Sequence, residues 1–277
     1  MDKANKRYGL STGLITACLS LSLTGCINPA VRTGSHEMLN ATLWQRTSAE
    51  YIGVTSQAWQ LAKYNLDKAL ADPQWSAALE QDTDYNNLPP AIMLDLDETV
   101  LDNTAYEVLI INQLGQYTHS SFADWCRENN APAVTGAKTF LDHAAEKGVA
   151  IFYYSARREK LRECTLRNLH QLKLPLPVES RLFLSNGMSK SDRRRHVAQN
   201  YRILLLLGDN LEDFVDGSKT APGIRRKLAR DYEGRWGRQW IILPNPMYGH
   251  WESSIYNFDY ALPHNEQLRQ KILTLDK

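Results

Sequence analysis

The sequence predicts an α/β fold on a largely parallel sheet, and three features predict it. Short apolar runs recur at 91–94, 149–154, 203–207 and 240–243, with a weaker one at 181–184. Helical stretches such as 136–147 and 159–171 lie between them, and strands alternating with helices imply a parallel sheet covered on both faces. The strongest runs are apolar throughout, as fully buried strands are. The third feature is where polar residues fall. Asp95, Ser155 and Asp209 each follow the last apolar residue of a run, and ligands of open parallel sheets bind at the carboxyl ends of the strands.

The 277 residues suit one core with a small appendage. With 32 basic and 31 acidic side chains the net charge is +1. There is no basic excess to meet a nucleic-acid polymer and no acidic tail.

The chain opens with Lys3, Lys6 and Arg7 before a mostly apolar or small run, 10–24, too short to span a bilayer comfortably. Residues 1–25 read as a secretory signal peptide. Its end, Leu23-Thr24-Gly25-Cys26, resembles the bacterial lipobox, whose cysteine receives a diacylglyceryl group. The alternatives are an ordinary signal peptide with a chance cysteine, or an uncleaved anchor. Ile27 after Cys26 resembles the outer-membrane sorting pattern. The expectation is a lipid-anchored protein of the bacterial cell envelope, held at the outer membrane through Cys26.

Residues 26–40 read as a polar tether, and 41–88 as an N-terminal helical segment. Within it, 41–71 forms one helix, with Ile52, Trp59 and Leu66 recurring at sevens beside Ala62 and Ala69 until Asp72-Pro73 stops it. Residues 89–277 form the core. Cys126 and Cys164 are left as a pair for an oxidising compartment, or as two separate buried thiols. No Cys-x-x-Cys or His cluster offers a zinc site.

The chemistry lies in four short segments. Asp95-Leu96-Asp97-Glu98-Thr99 puts two carboxylates two residues apart where a strand ends. Asp95 can act as a nucleophile toward phosphorus, and Asp97 can protonate the leaving oxygen and then activate water. Burying both costs on the order of several kcal/mol unless a cation neutralises them, and Mg2+ suits an oxygen-rich phosphate site. Ser155 can donate to a phosphate oxygen, although a serine after a strand is commonly a helix cap. Lys190 can pair with phosphate and with the nucleophile, although most lysines are solvated. Gly208-Asp209-Asn210-Leu211-Glu212-Asp213-Phe214 adds two carboxylates four apart. Asp209 can bind a metal and Asp213 can bind it or orient its waters.

Together these segments resemble the four motifs of the haloacid dehalogenase superfamily, and more narrowly the bacterial class C acid phosphatases, the lipoprotein e group or DDDD phosphatases. The stretches beginning at Asp95 and at Gly208 resemble that group's paired signatures. Leu243-Pro244-Asn245-Pro246-Met247-Tyr248-Gly249-His250-Trp251-Glu252 resembles its C-terminal segment. Arg157 follows Ala156 where a polar residue is expected, and 193–195 is all arginine.

The resemblance implies a Rossmann-like parallel sheet of the haloacid dehalogenase type with a small helical cap inserted at about 103–147, packed with the N-terminal helix. It implies an Mg2+-dependent acid phosphatase with Asp95 as nucleophile and metal ligand, and Asp97 as acid/base and metal ligand through its carbonyl. Ser155 and Lys190 hold phosphate, and Asp209 and Asp213 serve the metal. The implied substrates are small phosphomonoesters, including 5′-nucleotides. Trp125 in the cap and Tyr248 in the C-terminal loop are expected either to stack on a substrate ring or to pack cap against core. Two other readings remain, a catalytically silent surface lipoprotein for binding or adhesion and a phosphotransferase to alcohols.

Overall fold

The computed structural model describes residues 36–82, 84–128, 130–175 and 181–275. The signal segment, Cys26 and most of the 26–40 tether lie outside the described residues. Two helices, α1 (Leu39–Thr47) and α2 (Ala49–Ala71), stand where one was expected over 41–71. Ser48 divides them. Its backbone is extended and its hydroxyl accepts the N–H of Tyr51 at 3.0 Å, an N-cap that restarts the helix in a new direction. Along α2, Trp59, Ala62, Leu66 and Ala69 are buried as expected, but Ile52 is 55% exposed. A spacing of seven drifts by about 20° per repeat from the helical period, and Tyr51 and Thr55 occupy the buried side at that end.

All five expected strands are present: β1 (Pro90–Leu94), β2 (Ala150–Arg158), β3 (Leu182–Ser185), β4 (Arg202–Gly208) and β5 (Trp240–Ile242). They form one sheet in the order β3-β2-β1-β4-β5, every pair parallel. Side chains alternate between its faces. Ile92, Leu94, Ile151 and Tyr153 join Trp59 and Leu66 of α2 on one side. Ala91, Met93, Phe152 and Tyr154 join Val197, Phe214 and Trp240 on the other. The β1–β4 register slips by one residue, with Ala91 opposite Ile203 but Ile92 opposite Leu205. The intervening carbonyl of Leu204 accepts the indole N–H of Trp75 at 2.8 Å, so the bulge does not leave that carbonyl stranded.

The connections cross over as helices. In chain order they include α3 (Thr104–Gln113), α4 (His119–Glu128) and α5 (Ala137–Glu146) before β2, then α6 (Arg162–Gln171), α7 (Lys190–Ala198) and α8 (Pro222–Asp231). Within 103–147, α3 packs on α1 and α4 on α6. Helix α5 lies against α2 and β2 as an ordinary crossover. It starts at Gly136, whose φ of +94° and position leave no room for a side chain: a Cβ there would lie 2.7 Å from the Trp59 ring. Cys126 of α4 and Cys164 of α6 are joined in a disulfide with Cα atoms 5.9 Å apart. Two further helices, α9 (His250–Ser253) and α10 (His264–Leu275), end the described chain. Among the described residues no helix is long and apolar enough to cross a membrane.

The chain builds outward from β1 through β2 to β3, then returns to lay β4 on the other side of β1. The strand order reverses between β1 and β4, which is where a parallel sheet opens a crevice at its carboxyl edge. Asp95 follows β1 and Asp209 follows β4.

Candidate active site

Asp95 is held at the mouth of that crevice, its N–H donating to the carbonyl of Leu207 at 2.9 Å. Its side chain is buried, and Oδ1 accepts from Lys190 Nζ at 2.7 Å. Lys190 begins α7, whose first turn Ser189 caps. The same ammonium pairs with Asp213 Oδ1 and lies 5.2 Å from the centre of the Tyr154 ring. Asp213 closes a short turn after β4 in which its Oδ2 accepts the N–H of Asn210 at 2.9 Å and its carbonyl accepts the Tyr154 hydroxyl at 2.7 Å. Asp209 Oδ2 accepts from Asn245 Nδ2 at 2.8 Å, which ties the C-terminal loop to the end of β4.

Asp97 sits on the other branch of the loop after β1. Its Oδ1 accepts from Arg157 Nη2 at 2.7 Å and Asn103 Nδ2 at 2.8 Å. Its Oδ2 accepts from the hydroxyl of Ser155 at 3.1 Å. The turn between them needs Glu98 at a φ of +58°, and the Glu98 carboxylate accepts the N–H of Asn103 at 2.9 Å, knitting 98–103 into one unit.

Ser155 does not end its strand as expected. β2 continues to Arg158, with an irregularity in its pairing to β3 between Tyr154 and Arg158. Ser155 and Arg157 therefore point to the same buried side, while Ala156 is exposed. The Ser155 hydroxyl is spent on Asp97 and on the N–H of Arg157 at 3.1 Å. The sequence pointed to no catalytic role for Arg157, Asn103 or Asn245. Arg157 stood out only as a departure from the expected pattern and Asn245 lay inside the C-terminal segment, and the period-two spacing of Ser155 and Arg157 was the available signal.

The family model for HAD superfamily, subfamily IIIB (Acid phosphatase) matches residues 12–251. The chain belongs to this family of acid phosphatases. It is similar to the class C acid phosphatase of Bacillus anthracis, at 31% identity over 84% of this chain and 94% of that one, with a TM-score of 0.76. The tungstate-bound structure of that protein matches at the same identity and coverage with a TM-score of 0.75. The chain is thus an enzyme, a phosphoric monoester hydrolase acting on small-molecule phosphates.

The charge balance of the acid phosphatase site is acidic. Burial, reinforced by Asp213, Asp209 and Asp97 against the pull of Lys190, raises Asp95 well above the usual carboxylate range. Burial and then Asp213 push Asp209 up to about 7. Burial likewise raises Asp213 despite Lys190. Asp97 differs: burial would raise it, but the Arg157 guanidinium with the bonds from Arg157, Asn103 and Ser155 holds it below its ordinary value. Lys190 is driven firmly into its charged form, since Asp213 and Asp95 outweigh its own burial.

Phosphatases of this superfamily generally use a divalent metal. The donor chemistry fits one: hard carboxylate oxygens from Asp95, Asp209 and Asp213 converge on the strand ends and resist ionising together. Among the described residues no three such side chains stand close enough to form a cage, and the Lys190 ammonium bonds both Asp95 and Asp213.

Gly208 makes room for this arrangement. A Cβ there would fall 2.2 Å from Asp213 Oδ2 and 2.4 Å from its Cβ. Gly208→Ala is expected to push the Asp213 carboxylate away from Lys190 and lower kcat/KM about a hundredfold, the usual cost of roughly 1 Å of misplacement. Steady-state kinetics on the purified variant checks this.

Of the two readings of Trp125, the described packing favours the structural one. The residue is 5% exposed, stacks on Phe122 with ring centres 5.6 Å apart, and tilts against Tyr106. The ring packs among Tyr106 and Phe122 of α3 and α4. Tyr248 is half-buried in the C-terminal loop, its N–H 3.4 Å from Asn245 Oδ1 and its carbonyl accepting from Trp251 Nε1 at 3.1 Å.

Proposed function

We propose that the phosphatase moves the phosphoryl group of its substrate onto Asp95, releases the alcohol, and then hydrolyses the aspartyl-phosphate, with Mg2+ as cofactor. The observation that carries this reading is the Asp95–Lys190 contact at the switch point of the sheet. A buried carboxylate beside a fixed ammonium is a nucleophile shielded from water. A carboxylate oxygen of Asp95 attacks phosphorus, and the bond from phosphorus to the ester oxygen breaks. Asp97, which Arg157 holds ionised in the free enzyme, takes a proton from the incoming phosphate monoanion, gives it to that oxygen, and afterwards takes one from the attacking water. The Lys190 ammonium balances the negative charge gathered by the phosphoryl oxygens, and Ser155, released from Asp97, donates to one of them. Mg2+ would be held by Asp95, Asp209, the carbonyl of Asp97 and Asp213, where it would neutralise the phosphate. The reading is tested with a panel of aryl, sugar and nucleoside 5′-phosphates. Turnover with one phosphate released per ester supports it, and inert behaviour across the panel refutes it.

Nucleoside 5′-monophosphates are the proposed substrate class, with Tyr248 as the ring-stacking side chain. The support for this reading is that the Tyr248 loop is tied to Asp209 through Asn245. Stacking is worth about 1–3 kcal/mol per base. Tyr248→Ala is therefore expected to raise KM about tenfold for a 5′-mononucleotide and barely for a small aliphatic phosphate. Equal effects on both would assign the ring to packing.

The enzyme is further proposed to be anchored in the cell envelope by acyl chains on Cys26, at the outer membrane, and not to bind nucleic-acid polymers. The support is Leu23-Thr24-Gly25-Cys26 after a short apolar run. Cys26→Ala should abolish labelling by a palmitate analogue. Equal labelling of variant and wild type excludes lipidation there.

A further inference from the structure

We infer that Arg157 is the positioning residue for the proton-transferring carboxylate, holding Asp97 in one orientation while remaining out of reach of the substrate. The inference rests on the reading of Asp97 as leaving-group acid.

Arg157 uses its whole guanidinium. Nε donates to both oxygens of Asp97 at 3.0 and 3.2 Å, and Nη2 donates to Asp97 Oδ1 at 2.7 Å and to Asn103 Oδ1 at 3.3 Å. Nη1 faces the other way, donating to Thr165 Oγ1 at 3.1 Å with Cys126 Sγ at 3.8 Å. The guanidinium carbon lies 5.3 Å from the centre of the Phe122 ring. The cation is therefore seated between α4 and α6, the two helices joined by Cys126–Cys164, and its side chain is 1% exposed.

A carboxylate turns broadly about its last torsion, and a planar fork bonded to both its oxygens removes that freedom. The fork is itself immobilised from behind by Thr165 and Phe122, so the orientation is set by the packing of α4 on α6. Asn103, which also bonds Asp97 Oδ1, is held in turn by Glu98. Arg157 thus acts through Asp97 and not as a phosphate clamp.

The two roles predict different dependence on the leaving group. Phosphate esters of basic alcohols need the proton from Asp97, whereas p-nitrophenolate departs with little help. kcat/KM reports the steps up to that departure. Arg157→Lys keeps the charge and loses the fork. It is expected to lower kcat/KM for an alkyl phosphate about tenfold to a hundredfold more than for p-nitrophenyl phosphate, within the usual range of general-acid contributions. Guanidinium ion added to Arg157→Ala should recover activity on the alkyl ester selectively. Thr165→Val leaves Arg157 and Asp97 in place and should shift the same ratio in the same direction by a smaller factor, which decides the matter if neither arginine variant folds.

Asp97→Asn belongs in the same series. If it shows no leaving-group dependence, the acid role of Asp97 fails and the inference with it. If Asp97→Asn shows the dependence while Arg157→Lys and Thr165→Val reduce both substrates equally, or raise the inhibition constant of inorganic phosphate instead, the inference alone is overturned.

Discussion

Asp95→Asn is expected to reduce kcat by about 10⁵ or more, the scale seen when a nucleophile that acts with its partners is removed. The neighbouring carboxylates are engaged elsewhere, Asp209 with Asn245 among them. Asp213 is committed to Lys190 and to the Asn210 N–H, and Asp97 is clamped by Arg157, Asn103 and Ser155. The fold should survive. The amide has nearly the same shape, Lys190 keeps Asp213 as its counter-ion, and one carboxylate is removed from a group that burial already discourages from ionising. Circular dichroism and a melting temperature within a few degrees of wild type would establish that the loss is chemical. Retention of activity near the wild-type level would refute a nucleophilic Asp95.

Removal of divalent metal should have the second-largest effect. Asp95, Asp209 and Asp213 bring negative charge to a place where a phosphate dianion must bind, and Lys190 offsets only part of it. An added divalent cation stabilises the transition state by several kcal/mol, and each ~1.4 kcal/mol is tenfold in rate. Dialysis against EDTA is therefore expected to lower activity about a thousandfold, with recovery on adding Mg2+. A second readout is independent of turnover. Mg2+ should raise the melting temperature of the chelated protein, since a ligand that binds only the folded state stabilises it. In Asp209→Asn that rise should be much smaller. Full activity after exhaustive chelation would remove the metal from the mechanism.

The sheet was legible because its strands are written as short apolar runs, and each of the five runs forms a strand. Asp95 and Asp209 could be located for the same reason, since each follows a run in which no polar residue competes for the boundary. Arg157 was not legible. Its role depends on β2 continuing past Ser155, and a strand that carries Ser, Ala and Arg at its end looks like a loop. The break at Ser48 was hidden because the spacing of sevens lies wholly in α2, while α1 buries Thr42 and Gln45 and carries no apolar stripe of its own; only the cap geometry separates the two helices. Cys126–Cys164 and the burial of Trp125 both depend on how α4 folds back onto its neighbours. That is tertiary packing, to which spacing along the chain is blind. Gly208 shows the reverse case, a residue whose identity is explained only by a neighbour five positions later, Asp213.

The central claim is that the phosphoryl group passes through Asp95. It is tested most directly by mixing enzyme with a fast aryl phosphate, quenching in acid within the first turnover, and reducing with borohydride. Borohydride converts an aspartyl-phosphate to homoserine and leaves a free carboxylate untouched. Peptide mass spectrometry is expected to find homoserine at position 95 and aspartate at 97, 209 and 213. Homoserine at another of these positions, or unmodified aspartate at all four in enzyme that has released its aryl alcohol, would contradict the account.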